Sequence, residues 1–124
     1  MAVRLAGVLL AGAILTACGG HAPAPSQKWN GMEVALESRP NPPRAGMNEF
    51  LVTITDPRGR PDFSLIVSLR TNQNEPWVQA IQDGQMGVYR RAVRIVPATD
   101  KMLEIQLQSR DATDVLSFPL QLQP

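Results

Sequence analysis

"EFLVTITDPRGRPDFSLIVSLR", residues 49–70, carries the signal that decides the fold. Across its first half Phe50, Val52 and Ile54 fall on one face of an extended chain, and Leu51, Thr53 and Thr55 on the other. A period of two is that of a half-buried strand. Asp56-Pro57-Arg58-Gly59 then matches a type I turn, with Asp first, Pro second and Gly fourth. Leu65, Val67 and Leu69 restart the alternation. Strand, turn and strand follow each other with no helical spacing between them.

The same pattern extends in both directions. Upstream, "GMEVALES" places Met32, Val34 and Leu36 on one face, with Glu33 and Glu37 opposite. "NPPRAG" forms a rigid corner between that run and the next. Downstream, "PWVQAI" is a short edge candidate, and Asp83-Gly84 is a hairpin signal. "GVYRRAVRIV" puts Tyr89, Val93 and Ile95 on one side, Arg90 and Arg94 on the other. "KMLEIQLQS" turns Leu103, Ile105 and Leu107 inward, and "DVLSFPLQL" does so with Leu116, Phe118, Leu120 and Leu122. Pro119 cannot donate to a ladder, which marks that last run as an edge or as locally broken there. About seven strands with turn signals at this spacing predict an all-β, immunoglobulin-like β-sandwich, here without the disulfide or core tryptophan of antibody domains.

Composition narrows the function. The chain of 124 residues allows one domain, and its 12 Lys and Arg nearly balance its 11 Asp and Glu. Loss of Arg4 with an N-terminal leader makes the balance even. A neutral protein lacks the electrostatic footprint that nucleic acid demands. One cysteine excludes an intramolecular disulfide, so the apolar core must supply the stability.

The N-terminus has the three parts of an export signal. Arg4 and the terminal amine are followed by the apolar run Leu5 to Leu15 and then small residues. The run is too short for a permanent anchor, which takes roughly 20 apolar residues. "LTAC", Leu15 to Cys18, resembles the lipobox of bacterial lipoproteins. That resemblance implies a diacylglycerol on the Cys18 sulfur and signal peptidase cleavage between Ala17 and Cys18. Acyl burial gains about 0.8 kcal/mol per CH₂, and two or more chains anchor stably where one does not. Gly19, in place of an aspartate after the cysteine, implies sorting to the outer membrane, on its periplasmic face.

The expected organisation is a signal peptide over residues 1–17, a lipidated cysteine and flexible linker over 18–30, and the sandwich over 31–124. The linker is small, polar and proline-spaced. Trp29, near its end, rests either on the domain or at lipid headgroups.

Residues 37–70 and 87–96 also resemble the YtkA/FixH-like group of small exported β-sandwich domains. The shared marks are Asn41-Pro42-Pro43, Gly46, Asp56, Gly59, Pro61, and Gly87 with Tyr89. Many members carry methionines or histidines in the middle loop and are linked to copper handling or oxidase assembly. Thioether and imidazole ligands suit Cu(I). Here the middle segment holds one methionine, Met86, and no histidine, and the lone histidine, His21, lies in the linker. A periplasmic copper-handling chaperone is therefore the alternative reading, with His21 and Met86 as its metal candidates.

Catalytic equipment is missing from the sequence. The single thiol is assigned to lipid and the single histidine to the linker, leaving no nucleophile beside a base. No Cys, His or carboxylate cluster has zinc spacing, and Asp111 and Asp114 read as turn residues. No phosphate loop opens a helix. The expectation is a protein without enzymatic activity, cofactor or evident small-molecule substrate, held to the membrane by its lipid and bound to an envelope protein. Trp77, in the polar stretch "NQNEPWVQA", and Arg90 and Arg94, in a basic group with Arg91, are the candidate contact residues.

Overall fold

The two halves of residues 49–70 become strands in opposite sheets. The computed structural model describes residues 24–124, and these contain nine strands and no helix. They are β1 (Ser26–Trp29), β2 (Met32–Arg39), β3 (Gly46–Thr55), β4 (Ile66–Arg70), β5 (Val78–Gln79), β6 (Ile81–Gln82), β7 (Val88–Ile95), β8 (Met102–Gln108) and β9 (Thr113–Pro119). One antiparallel sheet has the order β1-β2-β3-β7-β6 and the other β5-β4-β8-β9. Without β1, the run β2-β3-β7-β6 repeats the A-B-E-D order of immunoglobulin domains, and β4-β8-β9 repeats C-F-G. The expected sandwich is therefore present, with two further short edge strands.

The inward faces are the ones the alternation marked. Val34, Phe50, Val52, Ile54, Val67, Leu69, Tyr89, Ile95, Leu103, Ile105, Leu107 and Phe118 are all sealed from solvent and form one cluster. Each such side chain contributes about 1.5–3 kcal/mol of transfer free energy. Leu51 breaks the alternation, being buried although it stands on the outer face. Its register partners are Glu37 and Arg90, long side chains whose stems shield it.

Turn chemistry works as its residues dictate. Gly59 N–H donates to Asp56 O, and the Asp56 carboxylate accepts from the Arg58 and Arg60 amides. Asn48 is buried but satisfied: its side chain bonds both backbone groups of Arg44 and the Gly46 carbonyl, pinning the proline corner to β3. Tyr89 Oη accepts from Leu65 N–H and donates to Asp62 O, both at 3.2 Å, which ties the β3–β4 connection to β7.

Two expectations need correcting. The sandwich starts before residue 31, because Ser26–Trp29 pair with Met32–Ala35 as β1. Trp29 is the cause: its ring joins the core and its indole N–H donates to Asp114 Oδ2 on β9 at 2.8 Å. Of its two possible resting places, the domain is the one it takes. The "PWVQAI" run is not one edge strand but two. β5 pairs with β4, Ala80 N–H still donates to Val67 O, and the chain then crosses so that β6 pairs with β7.

Candidate interaction surface

The chain crossing at Ala80 decides what is exposed along one side of the sandwich. β6 has two residues, and its ladder with β7 covers only Tyr89 and Arg90. From Arg91 to Ile95, β7 has β3 on one side and no strand on the other. Arg91 shows the consequence. It has the inward parity of Tyr89 and Val93 and lies in register with the buried Phe50, yet it is exposed. With no strand closing this side, its guanidinium leaves through the gap between the sheets.

That gap is a groove of about 280 Å³. Leu69, Val78 and Val93 line its apolar part, and Arg91 and Arg94 are among its polar residues. Met47 and Val96 also line it, 47% and 48% exposed. Two carboxylates belong to it as well. Glu75 is exposed. Asp100 is buried, and its oxygens accept from Val96 N–H, Asn72 Nδ2 and Thr99 Oγ1. A larger but shallower hollow, about 420 Å³, lies over Leu65, Ala80, Ile81 and Tyr89. Its one chemically distinctive group, the Tyr89 hydroxyl, is already occupied by Leu65 and Asp62.

The basic group of the sequence divides in two. Arg90 is paired along the outer face of its sheet: Nη2 bonds Asp83 Oδ2, and Nη1 lies 3.7 Å from Glu49 Oε1. Its Nε and that Glu49 oxygen make no hydrogen bond, so the second contact is a loose ion pair. Arg91 and Arg94 are exposed and have no carboxylate within ion-pair distance among the described residues. Glu104, outward-facing by the alternation of its run, is on β8 in the sheet opposite Arg90 and Arg94. There its carboxylate accepts from Arg70 Nε at 2.6 Å. The sequence pattern identifies strands, but it does not say which sheet each one joins.

Trp77 is half-buried, and the Arg70 guanidinium lies 4.1 Å from its ring centroid. It thus extends the row Arg70–Glu104 on the outer face of the second sheet, a stacked cation–π contact and not a bare anchor. Met86 is 68% exposed near the tip of the β6–β7 hairpin. Asp114 receives the Trp29 indole, and Asp111 sits in the turn closed by Ser109. Among the described residues no three His, Cys, Asp or Glu side chains are grouped as a metal would require. Ala17, Cys18 and His21 lie outside the described residues. The unpaired edge of β7 had no signal in its own sequence; the brevity of the β6 run was the only clue to it.

Compared with protein families, with characterised proteins and with solved structures, the chain matches none.

Proposed function

We propose that this chain is a lipid-anchored envelope protein without enzymatic activity, and that its sandwich is a protein-interaction module on the periplasmic face of the outer membrane. The observation that carries the reading is Leu15-Thr16-Ala17-Cys18 directly after an apolar run of export length. The fold supports it. The first strand begins at Ser26, so at most roughly 28 Å of extended chain separates Cys18 from the sandwich. An interaction module held that close meets partners at the membrane surface. The lone thiol is used for attachment, which leaves the domain to act by its surface alone.

Mass spectrometry and membrane fractionation of the full chain test this. The native protein is expected to begin at an acylated Cys18 and to leave membranes only with detergent. Cys18→Ala is expected to keep residues 1–17 and lose the acyl mass. An unmodified thiol in the native protein, or a variant that matures like the parent, overturns the reading. Titration with Cu(I) separates this proposal from the copper-chaperone alternative, which requires binding tighter than micromolar that is lost with His21 and Met86.

A further inference from the structure

We propose that the unpaired edge of β7, from Arg91 to Ile95, is a docking site for an extended acidic segment of a partner protein, which adds to the sheet as a further strand. The proposal rests on the reading of the sandwich as an interaction module and names the surface that performs it.

Backbone geometry comes first. In an antiparallel ladder, alternate residues direct their N–H and C=O to opposite neighbours. Asp83 N–H donates to Val88 O across the β6–β7 hairpin, so Val88, Arg90, Ala92 and Arg94 face the β6 side. The β6 ladder ends at Arg90. Ala92 and Arg94 therefore present two donors and two acceptors to a side where no strand lies. Beyond them the edge stops, because Val96 N–H is held by the Asp100 carboxylate and Val96 O by the Asp100 amide. The free stretch accommodates four or five residues of an extended chain, about 15 Å.

Charge then selects the occupant. A strand laid here sends alternate side chains to the two faces of the sheet. On the inner side they meet Arg91 and the apolar groove of Val78 and Val93, which Glu75 also lines; on the outer side they meet Arg94. Both guanidinium groups lack a carboxylate among the described residues, as do those of Arg44, Arg58 and Arg110, whereas Arg39, Arg60, Arg70 and Arg90 are paired; of the five unpaired arginines these two are the ones at the open edge. Carboxylates on the incoming strand complete them, and an apolar residue fills the groove, the combination by which strand addition gains affinity and specificity. A second copy of this chain is disfavoured by the same charges. Pairing the β7 edges of two copies brings Arg91 and Arg94 of both to one seam, and like charges across strands destabilise.

The test is hydrogen–deuterium exchange on the full-length mature chain in uncharged detergent. The probe is a nine-residue peptide of the repeat Glu-Glu-Val-Val, which places both residue types on each face of the strand. Its Lys/Val counterpart and an acidic version N-methylated at every residue serve as controls. The acidic peptide is expected to slow exchange within 88–96, to leave 113–119 unchanged, and to lose at least tenfold in affinity against Arg91→Glu/Arg94→Glu. Both sites are exposed, and unchanged thermal unfolding of the double variant verifies that it is folded. The N-methylated peptide makes the same test on the parent chain and is expected to protect nothing. Protection by the Lys/Val peptide overturns the acidic occupant, and equal binding of the N-methylated one overturns strand addition. So does slow exchange in 88–96 that rises with protein concentration alone, which reports self-association. An anchored chain without protection loses the docking edge and keeps the anchor; a chain that is soluble yet protected does the reverse.

Discussion

The sandwich has two sides, and they are closed differently. On one, β1 of the first sheet meets β9 of the second through side chains: Trp29 reaches Asp114, and Gln27 Nε2 donates to Ser117 O at 2.7 Å. On the other, the backbone itself crosses at Ala80, pairing with β4 and then with β7. Side chains clasp without using up strand length, so the first side is sealed along β9. A backbone crossing divides a short run between two ladders and leaves each only two residues long. The second side is therefore sealed next to Tyr89 and open from Ala92 onward. Open edges are a liability that charged side chains restrain. Arg91 and Arg94 stand at the opening, where they block self-pairing and invite an acidic strand.

Breaking the sealed side should have the largest effect. Trp29→Ala removes a core ring and its bond to Asp114, at a cost of about 3–5 kcal/mol. Urea denaturation should show this loss, and amide exchange in β1 and β9 should rise toward that of the open β7 edge. Trp29→Phe sharpens the comparison. It keeps the six-membered ring and loses the pyrrole edge together with its bond, about 1–2 kcal/mol in all, because exposed Asp114 regains water. If the two variants were equally destabilised, the hydrogen bond and not the burial would be what holds β1 in place.

The next effect lies at the hairpin feeding the open side. Several described glycines have positive φ, Gly31 at +78° among them, but only Gly87 combines positive φ (+70°) with close packing. A Cβ there would stand 2.7 Å from Ile54 O and 2.9 Å from Pro61 Cβ. The carbonyl is backbone and accepts from Asp62 N–H, so it has little room to give. Gly87→Ala is expected to cost about 2–3 kcal/mol, from left-handed strain plus overpacking. Gly84→Ala, with positive φ and open space, should cost about 1 kcal/mol. Thermal unfolding of the pair separates packing from conformation.

These residues show how far the sequence could be read. The faces of β2, β3, β4 and β8 were legible because one side of each is buried and the alternation repeats it. Asp56–Gly59 was legible because turn chemistry is local. β1 was not, since "SQKW" has only Trp29 to pack, and its pairing depends on Asp114 far along the chain. Nor was the pairing of Glu104 with Arg70, because strand order across two sheets is a non-local property. The open edge was hidden for the same reason. "PWVQAI" has the composition of one strand, and only the contact of Ala80 with Val67 reveals that it serves two.

The smallest effect expected lies where the open edge ends. Burial pushes the Asp100 carboxyl toward the neutral form, but the bonds from Val96 N–H, Asn72 and Thr99 outweigh it and hold its pKa below the ordinary carboxylate value. A group whose pKa is depressed by folding stabilises fully above its unfolded pKa, and that stabilisation is lost as pH falls through the folded one. Asp100→Asn keeps a carbonyl acceptor and should cost about 1 kcal/mol at neutral pH. The difference from the parent should hold constant down to about pH 5 and shrink below about pH 4, where the carboxyl of the unfolded parent begins to protonate before that of the folded one. Stability curves at pH 7, 5 and 3 check this. A gap that stays the same at pH 3 would mean that the turn depends on side-chain shape and not on charge. Because the Val96–Asp100 bond sets where β7 ends, exchange at residues 91–95 should rise in the variant while β9 stays unchanged, which separates a loosened edge from a general loss of stability.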